Sequence, residues 1–270
     1  MRNITIGQYY PADSILHKLD PRVKFLGTLV FIISLFLVRG ALGYAFVTVV
    51  LVTLIRLSKV PFGMMLKGMK AIIFILIITV IFNMLFTPGE ALFKVWRLTI
   101  TREGLIQAFR MAIRLSYLII GSSIMTLTTT PNQLTDAMEN LFNPLKAIKV
   151  PVHEIAMMMS IALRFIPILM EETDKIMKAQ IARGADFESG NLIKRVTNMI
   201  PLLVPLFVSA FQRANDLAMA MEARCYHGGE GRTQMKPLRY EKRDIIAYVL
   251  MVAFLAAVIC LRIFGRGWIS

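Results

Sequence analysis

Five runs of apolar residues constrain the fold of this chain more than any other feature. They cover about 25–38, 41–55, 71–86, 105–129 and 245–264. A helix that crosses a bilayer needs about 20 predominantly apolar residues, and 56% of this chain is hydrophobic, whereas soluble domains are nearer 45–50% apolar. The pattern therefore predicts an all-α membrane protein with about five transmembrane helices.

Turn signals separate these runs and set their connections. Asp20-Pro21 is typical of an N-cap followed by proline in the first helical turn, so the first helix is expected to begin there. Only Arg39-Gly40 separates the first two runs, which predicts an antiparallel hairpin. Residues 58–70 are predicted to form an interfacial turn, and residues 90–104 a mixed loop.

The basic residues predict which side of the membrane each loop faces. The net charge is +14, and if the N-terminus is cytoplasmic, 23 of the 31 Lys and Arg residues fall on the cytoplasmic side, six outside and two within the fourth span. Cytoplasmic loops carry an excess of Lys and Arg. We therefore expect a multi-pass protein of the cell membrane whose N-terminus is cytoplasmic.

The region 131–243 is expected to form a cytoplasmic domain between two membrane parts, 1–130 with four spans and 244–270 with the last span and tail. Prolines and glycines divide it into three helices at about 132–142, 151–183 and 191–224. At 1.5 Å per residue, each of the two long helices would extend roughly 50 Å if unbroken.

The two long helices end in nearly the same tripeptide, Ala182-Arg183-Gly184 and Ala223-Arg224-Cys225. At the same offset of 41 residues, Ala179 matches Ala220. Both stretches have an apolar first half, interior prolines and an amphipathic, Met-rich second half. The layout predicts an internal repeat with one arginine at each of two helix ends.

An arginine at a helix end has both a structural and a functional interpretation. It complements the negative end of the helix dipole, worth about 0.3–1 kcal/mol, and a following glycine takes the left-handed cap. A matched pair indicates a repeated task, because guanidinium groups bind carboxylates bidentately. Residues 182–184 and 223–225 are therefore candidate contacts with acid-lined grooves on two soluble partners.

Other features leave alternatives open. The apolar halves of the long helices are compatible with a further hairpin of spans, although Arg164 and the prolines favour helices at or beneath the membrane surface. Arg110 and Arg114 are expected near the outer end of the fourth span, extending to the interface, with a substrate role as the alternative. No Asp or Glu lies within the five predicted spans, which argues against a secondary transporter working alone.

The sequence offers no recognisable chemistry for catalysis or cofactor binding. Gly63 and Gly68 have the spacing of a phosphate-binding loop, but Met69 replaces its lysine. His153-Glu154 lacks a second zinc-binding histidine, because Met157 occupies that position. No nucleophile set and no nucleic-acid motif is visible. We therefore expect no enzyme active site, cofactor, metal site or nucleic-acid partner.

Several segments together resemble the transmembrane T component of energy-coupling factor transporters, also found in cobalt and nickel uptake systems. The likeness covers nearly the whole chain. The matching segments are His17–Arg22, Thr129–Pro131, Leu134–Thr135, Arg164–Pro167, Glu171–Glu172, Lys178–Gly184, Ala220–Arg224, Tyr226 and Gly228–Gly229.

This resemblance implies a scaffold that couples ATP hydrolysis to uptake of vitamins or metal ions, and in which the two long helices cross. Its partners would be two ABC-type ATPase subunits, each with a groove for Arg183 or Arg224, and a substrate-binding membrane S component that they reorient. Cys225 departs from the family pattern, which has glycine, so that helix end is expected to turn less tightly. An autonomous secondary transporter or channel is the alternative, and a membrane enzyme a weaker one.

Overall fold

A computed structural model describes residues 9–38, 40–70, 72–88, 91–95, 98–187, 189, 191–229, 235 and 237–264. Within these ranges the chain forms ten α-helices, one 3-10 helix and one two-stranded antiparallel hairpin. The chain divides into two compact units. The first unit is Met1–Ala137 with Leu238–Ser270, and the second unit is Met138–Pro237.

The first unit is arranged around α5 (Arg102–Thr128), against which four other helices pack. Those four are α1 (Pro21–Leu37), α2 (Ala41–Ser58), α3 (Phe62–Lys70) and α4 (Ile73–Phe86). The last helix, α10 (Lys242–Phe264), packs against α1 and α2. Buried apolar side chains from these helices form one core, including Leu35, Val47, Met65, Ile124 and Val258.

Helices occur at all five predicted spans, as α1, α2, α4, α5 and α10. By length and composition, five helices of the described chain are apolar enough to cross a membrane, which confirms the prediction of an all-α membrane protein. These five are Ala41–Ser58, Arg102–Thr128, Val152–Ala182, Ile193–Ala223 and Lys242–Ile263. The set differs from the predicted one, because α1 and α4 have only 17 and 14 residues and the two long helices of the second unit also qualify.

Two segments between the spans differ from the prediction. Residues 62–70, expected as a turn, form the helix α3, whose sequence after Pro61 contains no further proline. The expected loop contains the hairpin of β1 (Ala91–Val95) and β2 (Leu98–Thr101). The second strand alternates apolar and β-branched polar residues, a pattern that favours strands over loops.

A buried polar cluster of Asp20, Arg22 and Asp244 joins the starts of α1 and α10. Asp20 is the N-cap of α1, as predicted, and its carboxylate accepts hydrogen bonds from the backbone N–H and from Nη2 of Arg22, both at 2.8 Å. Asp244 accepts the backbone N–H groups of Asp20 at 2.9 Å and Glu241 at 2.8 Å. The Arg22 guanidinium also lies 3.9 Å from the centre of the Tyr240 ring.

The helices carry more polar residues than the predicted spans did. α5 and α10 begin a few residues earlier than expected, so Glu103 and Asp244 lie in their first turns. Arg110 is exposed, but Arg114 is half-buried and donates to the carbonyl of Val38 at 3.4 Å and the hydroxyl of Tyr44 at 3.1 Å. Arg114 therefore links α5 to the connection between α1 and α2, a contact that the sequence did not indicate.

The second unit contains two long helical stretches that pack against each other. It begins with the end of α6 (Pro131–Phe142) and the 3-10 helix Asn143–Ile148. α7 (Val152–Ala182) runs unbroken through Pro167. α8 (Leu192–Asn198) leads almost directly into α9 (Ile200–Ala223), which contains Pro205.

The internal repeat is visible in the ends of these helices. α7 and α9 end at Ala182 and Ala223, which are 41 positions apart, the offset found in the sequence. The stretch that ends at Ala223 begins at Leu192 and is interrupted at Met199, whereas α7 is continuous. The two stretches therefore match most closely toward their C-terminal ends.

Candidate functional site

The first of the two helix tips, Ala182–Gly184, ends α7 with a defined turn. The N–H of Gly184 donates to the carbonyl of Ile181 at 2.9 Å, and the N–H of Ala185 donates to that of Gln180 at 3.0 Å. These two bonds define a Schellman motif. Gly184 has a φ of 88°, which glycine adopts without steric cost. Arg183 is therefore the last residue before the chain turns away.

The second tip, Ala223–Cys225, has the same turn at the end of α9. The N–H of Cys225 donates to the carbonyl of Glu222 at 2.8 Å, and the N–H of Tyr226 donates to that of Met221 at 3.0 Å. The expectation of a looser turn is therefore wrong. Cys225 takes the left-handed conformation itself, with a φ of 53°, and the capping bonds outweigh a steric penalty of roughly 1–2 kcal/mol.

Both arginines of the tips project from the folded chain. All six residues of the two tips are exposed. Within the part of the chain that the structure describes, neither Arg183 nor Arg224 forms a hydrogen bond or ion pair through its guanidinium. Each tip therefore offers an intact set of five N–H donors to an external acceptor.

An interhelix pair, Glu172 and Arg213, connects α7 to α9. The Arg213 guanidinium forms an ion pair with the Glu172 carboxylate. The two positions differ by 41, the offset that also relates the tips. Each lies ten residues before the last residue of its helix, or about 15 Å along the axis. The two helical arms beyond the pair are therefore equal in length.

The loop after the second tip returns to the start of α7. A Cβ atom at Gly229 would lie 2.3 Å from Cδ2 of His153, so only glycine fits there. Nδ1 of His153 lies 2.8 Å from Oε1 of Glu139 in α6. The loop after the first tip instead leads to α8, so the repeat is symmetric in its helices and asymmetric in its loops.

The described residues contain no group of three or more His, Cys, Asp or Glu placed to hold a metal ion. Cys225 and Cys260 are both exposed and unpaired in the chain. The sequence analysis found the tips, whereas it missed the interhelix pair and the polar cluster. The 41-residue offset was a usable signal for the interhelix pair, because it relates Glu172 to a residue of opposite charge.

The fold defines a multi-pass, all-α membrane protein that exposes two matching arginine tips. The family model of CbiQ, described as cobalt transport protein, matches residues 12–235. This chain therefore belongs to the CbiQ family, and the resemblance inferred from its motifs is confirmed.

Several curated relatives carry the name energy-coupling factor transporter transmembrane protein EcfT. The one from Clostridium kluyveri is 54% identical over 270 residues, which cover 99% of this chain and 98% of the relative. The one from Bacillus subtilis is 47% identical over 263 residues, covering 97% and 99%. The likeness extends over the whole membrane protein, so this chain is a transmembrane component of the energy-coupling factor type.

Proposed function

We propose that this chain is the scaffold of an importer, coupling two ATPase subunits to a substrate-binding membrane subunit. The observation that carries the proposal is the pair of exposed arginine tips with the same backbone turn. Relatives named as transmembrane proteins of energy-coupling factor transporters support it, because that name places them in a transporter with other components.

The geometry of the tips favours two similar protein partners. Arg183 and Arg224 each follow the last helical residue, have the same Schellman hydrogen bonds and lie at the ends of arms of equal length. Two copies of one kind of groove, lined by carboxylates, would fit this arrangement. Losing one hydrogen-bonded charge pair of this type from an interface costs about 2–5 kcal/mol.

We propose that the N-terminus and residues 131–243 are cytoplasmic, where the ATPases would be. The excess of Lys and Arg on that side supports this orientation. α7 and α9 are apolar enough to cross a bilayer. However, Arg164 and the Glu172–Arg213 pair lie within them, and charged residues inside the membrane are costly. We infer that these helices lie at the membrane surface or beneath it.

In this proposal the chain transmits movement and catalyses no reaction itself. ATP-driven closing of the ATPases would shift the two tips, and the movement would pass along α7 and α9 to the S component, which would reorient. The substrate would be a vitamin or a metal ion bound by that S component, and the description of the matching family, cobalt transport protein, favours a metal ion.

Co-purification from membranes tests the proposal. The double variant Arg183→Glu with Arg224→Glu should lose both ATPase subunits while it stays in the membrane, because each tip then repels an acidic groove. The control Lys178→Glu with Arg195→Glu makes the same change in net charge at two exposed residues outside the tips. If the ATPases remain bound to the tip variant as firmly as to the control, the docking proposal is wrong.

A further inference from the structure

A cavity of about 450 Å³ lies within the first unit and has no part in the proposed coupling. Its lining is almost entirely apolar and comes from residues 15–19 and from α1, α2, α5 and α10. Representative lining residues are Val23, Leu54, Ile124, Leu250 and Phe254. The volume is within the roughly 300–1,000 Å³ typical of ligand pockets.

The cavity lies toward one end of these four helices. It involves the first half of α1 and of α10 and the second half of α2 and of α5. These helices are the first, second, fourth and fifth predicted spans. The N-terminal ends of α1 and α10 and the C-terminal ends of α2 and α5 therefore all lie on one side of the membrane. In the proposed orientation that side is cytoplasmic, and the cavity is at the depth of the inner leaflet.

Two basic side chains line this apolar space. Nζ of Lys24 donates to the carbonyls of His17 at 3.1 Å and Thr128 at 2.9 Å. Arg243 pairs with Glu241 through Nη2 at 2.8 Å. Within the described ranges its Nε is buried and has no hydrogen-bond partner, which is unfavourable for a charged donor unless a further acceptor binds.

More positive charge lies beside Arg243 at the start of α10. Arg239 and Lys242 are exposed and, within the described part of the chain, have no ion-pair partner. Asp244 is buried and already accepts two backbone N–H groups. The start of α10, next to the cavity, therefore has an excess of positive charge and suits an anion.

The volume of the cavity restricts its occupant. One turn of a helix about 10 Å across occupies roughly 400 Å³, so the cavity holds no more than a single turn of a partner helix. A thin and flexible chain fits better. Lipid tails surround a membrane protein at this depth, and van der Waals contacts along the cavity wall would hold one of them there.

We propose that this cavity holds one acyl chain of an anionic glycerophospholipid, whose phosphate binds Arg243. The tail alone would not distinguish lipids, because all of them offer similar chains. Selectivity would come from the positive charge at the start of α10, since a lysine or arginine near the membrane surface favours anionic lipid by about fivefold in binding.

Photo-cross-linking tests the proposal with the full-length protein in phosphatidylcholine vesicles. The probe is phosphatidylglycerol with a photoreactive group on one acyl chain, compared with phosphatidylcholine labelled in the same way. Peptides around Leu54 and Leu250 should be labelled about fivefold more by the anionic probe. Equal labelling by the two probes would overturn the assignment of an anionic lipid.

Two substitutions and their controls separate the tail from the phosphate. Gly27→Leu should narrow the cavity and reduce labelling by both probes, because a Cβ there meets only Sδ of Met251 at 3.9 Å. Gly63→Leu adds the same side chain where no atom lies within 4 Å, so it should leave labelling unchanged. Labelling that is the same in folded Gly27→Leu protein as in Gly63→Leu protein would exclude the cavity as the site.

Arg243→Gln should remove the preference for phosphatidylglycerol and keep the weaker labelling by phosphatidylcholine. Arg262→Gln, near the other end of α10, should retain the preference. An unchanged preference in Arg243→Gln would overturn the role of this arginine, even if Gly27→Leu does not fold. Both measurements are made without the ATPase subunits. A negative result in either of them would therefore leave the docking proposal unchanged.

Discussion

The polar cluster of the first unit and the arginine tips of the second unit use the same side chain in opposite surroundings. Arg22 is buried, pairs with Asp20 and packs on an aromatic ring. Arg183 and Arg224 are exposed at the ends of helices. The difference separates a charge that stabilises the chain from one that is available to a partner. Variants of the two regions should therefore fail in different assays.

The largest effect on stability is expected for Asp20→Ala. This change leaves the buried Arg22 without its carboxylate, and an unpaired buried charge costs about 3–5 kcal/mol. The protein should unfold at a markedly lower temperature when its size-exclusion profile is followed on heating in detergent. Asp13→Ala is the matched control, because the hydrogen bond from Lys18 that lowers the pKa of Asp13 lies in solvent. Similar losses in both variants would contradict a special role for the cluster.

The next largest effect concerns binding rather than stability. Arg183→Ala and Arg224→Ala should each weaken ATPase binding by about 2–5 kcal/mol, and thermal unfolding should not change because both side chains are exposed. The two losses should be similar, since the tips have the same backbone turn. Binding measured by titrating detergent-purified ATPase subunits tests this. A loss confined to one tip would mean that the two partners dock differently.

A smaller effect is expected at the interhelix pair. Arg213→Glu places two carboxylates together and should push α7 and α9 apart, because like charges repel. Spin labels at positions 182 and 223 would then show a broader and longer distance distribution. The charge-reversed double variant Glu172→Arg with Arg213→Glu should restore the native distribution. If the double variant is as broad as the single one, the ion pair does not set the spacing.

The smallest effect distinguishes the two tips from each other. Cys225→Gly should stabilise the second tip by up to about 1 kcal/mol, because glycine tolerates the left-handed conformation that cysteine adopts at a cost. Gly184→Ala should destabilise the first tip to a similar degree. Hydrogen exchange of the amides of residues 184–185 and 225–226 measures both changes. Exchange at residues 225–226 that does not slow in Cys225→Gly would contradict the argument.

The sequence predicted features that depend on residues close together along the chain. Asp20-Pro21 indicated the start of α1, because capping involves neighbouring backbone groups. Apolar runs located the predicted spans, and the 41-residue offset located both tips. The first two signals involve neighbouring residues. The internal repeat adds a constant separation of 41 residues between matching positions.

Features formed by distant residues were not predictable in this way. The hydrogen bond from the backbone of Asp20 to Asp244 joins positions 224 residues apart, and a single sequence contains no sign of it. The contacts of Arg114 with Val38 and Tyr44 likewise join α5 to a distant part of the sequence. The turn at Cys225 was misjudged because residue preference alone ignores the capping bonds formed by the preceding turn.

The contact between Gly229 and His153 makes the two arms mechanically unequal. The chain after the second tip lies against the imidazole ring of His153 at the start of α7. In the chain after the first tip, the carbonyl of Asp186 instead accepts a hydrogen bond from the side chain of Asn198 in α8. If the tips dock as proposed, equal displacements of the two tips would therefore be passed to different helices.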